Sequence, residues 1–243
     1  MRLTRVHVPD PLSPGRRHTV EGAAANHIAR VLRLEPGAPL TVFDGRGGEY
    51  AARIESLRKD TVIIEVQERS PSSRESSLSL TLAQGVSRGE RMDWVVQKAT
   101  ELGVTRIIPV LTERTVVKLD AKQSERKLLH WQGVAVAACE QSGRDRIPDI
   151  AAPVGLHDFL GGIDTGATRL LLSPTGTQRV NELQPPAAGL LVLIGPEGGL
   201  AQSEQRAAIQ AGFVAVRMGP RVLRTETAAA AALTLLQHRF GDL

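Results

Sequence analysis

Five consecutive apolar residues, Leu190-Leu191-Val192-Leu193-Ile194, run directly into Gly195-Pro196-Glu197-Gly198-Gly199. An apolar run of that length, closed by glycine and proline, reads as a buried strand. Strands of this kind belong to parallel sheets covered by helices, and such sheets bind ligands in the loops beyond their carboxyl ends. The glycines let backbone approach a ligand closely and tolerate positive φ. A helix is expected to begin near Gln202. The loop is not the GxGxxG dinucleotide fingerprint, and no GK[ST] follows to make a P-loop. Taken alone, it is equally a tight strand–helix turn.

The chain around this segment alternates in the same way. Residues 78–84, 106–111, 170–172, 190–194 and 214–217 read as strands, and 91–102, 123–141, 204–211 and 225–238 as helices. In the first helix Met92, Val95, Val96, Ala99 and Leu102 keep helical spacing, and Gly103 ends it. Strands alternating with helices predict an α/β domain with a parallel sheet. Residues 1–70 differ. Short β segments at 40–43, 49–54 and 61–66 surround a turn-rich cluster at 44–48, with one helical patch at 23–32 stopped by Glu35-Pro36-Gly37. That spacing suggests a small barrel. Between the two regions, QERSPSSRESS has Pro71, five serines and no large apolar residue. The expected division is a domain over 1–70, a linker over 71–77 and a second domain over 78–243.

Composition excludes several classes. A chain of 243 residues holds one or two domains, and 42% hydrophobic residues make it globular. The single cysteine, Cys139, rules out an intramolecular disulfide and a Cys-rich zinc site, so no metal is expected, and the thiol reads as an inert core residue. No run of 18 apolar residues exists, and MRLTRVHVPD lacks the apolar stretch of a signal peptide, so a cytoplasmic protein without membrane contact is expected. The net charge of +4 permits a polyanionic partner without demanding one. Aromatics at 3% argue against a base-stacking platform.

Two further loops follow strands of the second region. Ser173-Pro174-Thr175-Gly176 comes after 170–172, and Met218-Gly219-Pro220-Arg221-Val222-Leu223-Arg224-Thr225-Glu226-Thr227-Ala228 opens an alanine-rich helix. Thr225 or Thr227 can cap that helix, and Glu226 suits its first turn. Capping does not explain Arg224, whose charge is unfavourable there. Three glycine-bearing loops at three strand ends can converge on one ligand.

Together these segments resemble the SPOUT-class methyltransferases, and more closely the RsmE-type small-subunit rRNA uridine-N3 methyltransferases. The resemblance rests on IGPEGG and MGPRVLRTETAAAAAL, on QKATELG (97–103), TERTVVKL (112–119) and EQSGR (140–144), and on HIARVLR (27–33), in order over essentially the whole chain. One departure is Ala201, where relatives often carry a serine that caps the next helix; its absence costs about 1 kcal/mol and leaves that helix's start open. The resemblance implies an α/β-knot domain with a C-terminal trefoil knot, a PUA-like β-barrel that binds RNA, and a homodimer. It implies methyl transfer from S-adenosylmethionine to N3 of a uridine in 16S rRNA, placed in the assembled 30S subunit, without a metal.

The cofactor would lie among Leu172, Ser173, Pro174, Gly195, Pro196, Glu197, Gly198, Gly199, Met218, Gly219, Leu223, Arg224, Thr225 and Ala228. Core packing is the alternative reading of Leu172 and Leu223, and a hydrogen-bonded loop brace that of Glu197. Arg224 and Glu226 are the first catalytic candidates: an arginine to stabilise negative charge, a carboxylate to accept the N3 proton. Gln141 and Arg144 are candidates from a partner subunit, although Arg144 is equally a surface charge. RNA contacts would come from His27, Arg30 and Arg33 in the barrel and from Lys98, Arg114 and Lys118. Lys98 is equally paired with Glu101, and a lone helical histidine such as His27 is more often structural. A dinucleotide oxidoreductase fits the α/β pattern but lacks the fingerprint. A non-enzymatic RNA-binding factor would not need the three loops. If phosphate contacts hold the RNA, added salt should depress activity steeply while cofactor binding barely changes. Parallel salt titrations of turnover and cofactor affinity check this, and equal sensitivity would contradict it.

Overall fold

The computed structural model describes residues 4–71, 73–163 and 166–243. Ser72 of the expected linker and residues 1–3 of the expected first domain lie outside them. Strands β1 (Arg5–His7), β2 (Arg17–Glu21), β3 (Pro39–Phe43), β4 (Glu49–Leu57) and β5 (Thr61–Arg69) form a sheet in the order β1-β3-β4-β5-β2. Alternation drives it. Tyr50, Ala52 and Ile54 in β4 and Val62, Ile64 and Val66 in β5 turn inward to one core with Val6, Val20, Leu40 and Val42. Register shifts in β4 between Tyr50 and Ala52 and between Ile54 and Ser56 bend the sheet around that core. Among the described residues β1 and β2 are edges sharing no ladder, so the expected barrel is not closed by strand pairing.

The helical patch expected at 23–32 splits into α1 (Gly22–Asn26) and one wide π-turn, His27–Val31, where the Leu32 N–H reaches back to the His27 carbonyl at 2.9 Å. Arg33 then takes φ +50°, the only positive φ of a non-glycine among the described residues. Ile28, fully buried, anchors the turn to the core.

The chain forms two units: one runs to Glu75 and includes Cys139–Ile147, and the other holds Ser76–Ala138 and Pro148–Leu243. This differs from the single cut expected at 71–77, and Glu75 supplies the reason. Its carboxylate accepts bonds from Arg144 Nη2 (2.6 Å) and Nε (3.0 Å), and from the Asp145 and Arg146 N–H groups (both 3.1 Å). Two segments distant in sequence are thereby tied into one unit. Cys139 is buried here as expected; burial, foremost, pushes its thiol up to about 12, leaving no thiolate for chemistry.

The second unit is built on parallel strands: β6 (Leu80–Gly85), β7 (Arg106–Leu111), β8 (Asp149–Ile150), β9 (Val154–Gly155), β10 (Thr168–Leu172), β11 (Gln178–Arg179), β12 (Leu190–Ile194) and β13 (Val214–Arg217). Their order is β11-β13-β10-β12-β6-β7-β8, with β9 also beside β7. Every residue of β12 is buried, as its apolar run predicts. Leu191 and Leu193, with Ala83 and Leu171, face Phe159 of α4 (Leu156–Gly161) and Ala208 of α5 (Gln202–Gln210). On the opposite side α6 (Thr225–Phe240) packs on β12 and on α2 (Glu90–Glu101). Each fully buried Leu contributes roughly 1.5–3 kcal/mol. The long α3 (Ala121–Ser142) is fastened to α2 through Trp131, whose Nε1–H donates to Asp93 Oδ1 at 3.1 Å. Among the described residues, no helix is long and apolar enough to cross a membrane.

The Glu75–Arg144 pair sets a prediction for the first unit. Burial pushes the Glu75 carboxyl up, but the hydrogen bond and charge of Arg144 and the two backbone N–H groups outweigh it, and the net shift is downward from 4.5. Its stabilisation is therefore fully present above 4.5 and lost as pH falls through the lowered value. Replacing Glu75 by Gln leaves the buried Arg144 charge without its carboxylate and should cost roughly 3 kcal/mol at neutral pH. Hydrogen exchange of the β4 and β5 amides should show it, with the gap to wild type narrowing on acidification.

Candidate active site

Parallel pairing in register places four strand ends side by side: Gln84 opposite Ile194, Leu171 opposite Leu193, and Leu172 opposite Val216. The loops leaving β10, β12 and β13 therefore emerge together, and they surround a cavity of about 550 Å³. All fourteen residues expected around a cofactor lie on its wall, and so do Glu226 and Arg114.

The β12 loop is shaped by its own sequence. The Gly199 N–H donates to the Pro196 carbonyl at 2.8 Å, closing a turn that puts Gly199 at φ +67°. The loop also presses on the end of β6: a Cβ on Gly85 would stand 2.8 Å from the Gly195 carbonyl carbon. Glu197 acts as the brace. Its Oε1 accepts the Arg88 N–H at 2.9 Å and Arg91 Nη1 at 2.8 Å. Burial is the largest single influence and raises the Glu197 carboxyl, yet its backbone donors and Arg91 together hold it below the ordinary value, so it stays ionised. From the other side, Arg114 Nη1 donates to the Gly198 carbonyl at 2.9 Å.

The helix after the loop starts at Gln202 although Ala201 has no side-chain acceptor. Glu204 compensates by reaching back: its Oε2 accepts the Ala201 N–H at 2.8 Å, and its Oε1 the Glu113 N–H at 2.8 Å. At α6 the structure corrects the capping reading of Thr225. Arg224 holds the N-cap position without a capping bond, and Thr225 is the first helical residue. The Thr225 hydroxyl instead donates to the Gly195 carbonyl at 2.7 Å. Glu226 sits in the first turn as expected, and its Oε2 is buried without a hydrogen-bond partner. Arg224 is exposed on the same wall.

The remaining expected residues are not on this wall. Arg144 is 4% exposed and tied to Glu75 in the first unit, so it is not a surface charge, and Gln141 is exposed in that same unit. Lys98 donates to Glu101 at 2.8 Å, the pairing weighed beside its RNA role. Lys118, Arg30 and Arg33 are exposed, and His27 is half-buried. Sequence reasoning missed Arg91 and Arg221, which share the cavity rim with Arg114 and Arg224. It also missed Gln84, wholly buried at the end of β6. Its signal was present: one amide closing an apolar strand just before a glycine. Among the described residues, no group of His, Cys, Asp and Glu side chains could hold a metal ion.

Comparison with known proteins agrees with this architecture. Residues 74–237 match the RNA methyltransferase domain family, and residues 20–67 match the RNA methyltransferase PUA domain family. The chain is 31% identical over 242 residues to the ribosomal RNA small subunit methyltransferase E of Buchnera aphidicola subsp. Schizaphis graminum, covering 100% of this chain and 98% of the relative. It is 30% identical to the protein of the same description from Bacillus subtilis, over 91% of this chain and 90% of that one. Two solved structures superpose over the full length of both chains. One is a methyltransferase from Legionella pneumophila in complex with the bound cofactor SAM, at TM-score 0.95 and 40% identity. The other is the ribosomal RNA small subunit methyltransferase E of Neisseria gonorrhoeae bound to S-adenosyl methionine, at TM-score 0.94 and 36% identity. A parallel sheet whose loops wall one cavity, joined to a PUA domain and shared along the whole chain with these proteins, places it in the ribosomal RNA small subunit methyltransferase E family.

Proposed function

We propose that the protein methylates N3 of a uridine in 16S rRNA within the 30S subunit, using S-adenosylmethionine held by the three loops. The observation that carries this reading is the convergence of all fourteen expected residues on one cavity, with Arg224 and Glu226 on the same wall. The residues present fit the cofactor. The volume suits a small-molecule site. Leu172, Met218 and Leu223 offer apolar surface to a base, and the glycine loop offers main-chain groups to polar atoms. When bound, S-adenosylmethionine supplies a methyl group already electrophilic on its sulfonium.

Uridine N3 carries a proton and is a poor nucleophile until that proton leaves. Glu226 takes the proton on its carboxylate, and Arg224 stabilises the negative charge left on the base oxygens. The loops tied to the ends of β6 and β12 hold the reacting atoms near a line, which is a positioning task. Arg91, Arg114, Arg221 and Arg224 rim the cavity, a basic mouth suited to RNA phosphates around a base turned out of its stack. His27, Arg30, Arg33, Lys98 and Lys118 extend RNA contact, while the exposed Gln141 acts from the partner of a homodimer; Arg144, buried against Glu75, is not available for that role. Support for the dimer is a second cavity of about 890 Å³ with Leu223, Leu235 and Ala231 beside Arg179, Arg217 and Arg239. It shares Met218, Gly219 and Leu223 with the first, so a partner seated there would brace the β13 loop. A trefoil knot accords with the insertion of β10 between β12 and β13 and with the tie from Thr225 to Gly195. A ribosomal substrate would place its work in the cytoplasm.

Purified 30S subunits lacking the modification, incubated with labelled S-adenosylmethionine, should gain one methyl group at uridine N3; a methyl mapped to carbon or ribose oxygen would refute the assignment. Arg224→Ala and Glu226→Gln should each lower kcat by about 10²-fold or more while cofactor affinity changes by less than about threefold. Calorimetric cofactor titration beside single-turnover assays separates the two quantities. Light scattering at micromolar concentration should give a dimer, and a monomer would exclude a partner's contribution.

A further inference from the structure

Gln84 is a buried amide in a strand whose other inward positions, Leu80, Leu82 and Ala83, are apolar. Its Nε2 faces three oxygens: Thr225 Oγ1 at 2.9 Å, the Gly85 carbonyl at 3.1 Å and the Gly195 carbonyl at 3.4 Å. Three acceptors around one nitrogen fix the amide orientation, because the flipped form would set oxygen against oxygen. Thr225, 7% exposed, passes the bond on to Gly195 O. The result is a donor chain from β6 through the first residue of α6 to the first residue of the β12 loop. The arrangement leaves Gln84 Oε1 buried without a partner. A leucine would fill the strand position without that unsatisfied atom, so packing alone does not account for an amide here.

The chain of bonds joins the two parts of the proposed site. Gly195 opens the loop on the cofactor side, and Thr225 stands between Arg224 and Glu226. Any drift of Thr225 relative to Gly195 moves both catalytic candidates relative to the methyl group. We infer that Gln84 is a positioning residue for methyl transfer, setting the placement of Arg224 and Glu226 against the cofactor loop through Thr225. This rests on the methyl-transfer reading above.

Two substitutions test it. In Gln84→Leu, kcat on 30S subunits should fall about 10²-fold, the cost of misplacing reacting groups by about 1 Å. Cofactor affinity should fall far less, and hydrogen exchange at residues 195–199 and 225–228 should accelerate about tenfold or more, as a freed junction requires. In Gln84→Glu, the protonated carboxyl can still donate to Thr225 whereas the ionised form cannot. The activity ratio of this variant to wild type should therefore rise as pH is lowered, a profile that a purely structural residue would not produce. Wild-type kcat in Gln84→Leu, a parallel loss of affinity and turnover, or unchanged exchange would each overturn the inference. If Gln84→Leu does not fold, a flat ratio for Gln84→Glu overturns it instead. Absence of methylation by wild type would sink the methyl-transfer reading, while the exchange measurement would still decide whether Gln84 ties the junction.

Discussion

The parallel pairing of β6, β12, β10 and β13 is the constraint on which the site depends. A parallel ladder in register aligns carboxyl ends at one edge, so three loops separated by dozens of residues must leave the sheet together. Backbone bonding alone would permit a slip. What resists it is close packing on both faces: Leu191 and Leu193 on one side and Leu190 and Val192 on the other would have to trade into differently shaped surroundings with any one-residue shift. The geometry of the cavity is thus set by hydrophobic burial in the sheet beneath it.

The loops above that sheet are held by a second kind of interaction, few in number and polar. Glu197 ties the β12 loop to the start of α2, Arg114 ties it to the segment after β7, and Thr225 ties it to α6. Each bond pairs a polar group of the loop with a neighbouring element. The outcome is a wall rich in backbone and apolar atoms, with the charges arranged at its rim. An electrophilic cofactor needs holding more than it needs activation, which is the part proposed for this wall. In the proposed reaction the chemical demand falls on the acceptor, for which Glu226 and Arg224 are the candidates.

Much of this was legible in the chain. The apolar runs at 190–194 and 214–217 give β12 and β13 with their observed bounds, and helical spacing of Met92, Val95, Val96 and Ala99 places α2 within a residue of its start. The three loops are readable because glycine and proline end each strand. Short elements escaped: β1, β8, β9, β11 and α4 have too few residues for a periodicity to form. The helical patch at 23–32 was half right, since composition does not distinguish an α-turn from the wider π-turn that seats Ile28 in the core. Gln84 and Arg91 were missed because their roles exist only through neighbours about 110 and 140 positions away, in the loop after β12 and at the start of α6.

By itself the sequence determined the longer strands and helices of the second unit and where its three glycine-bearing loops would fall, because those depend on local spacing of apolar residues and on turn-forming glycine and proline. It also determined the family, through motifs spread along the chain. Tertiary structure decided which groups meet. It turned Thr225 from a helix cap into a tie, made Glu197 a brace, and drew Glu75 and Arg144 together across 69 positions. The reason is physical: spacing along a chain records burial preference, whereas a hydrogen bond between distant residues depends on a distance that only the packed sheet creates.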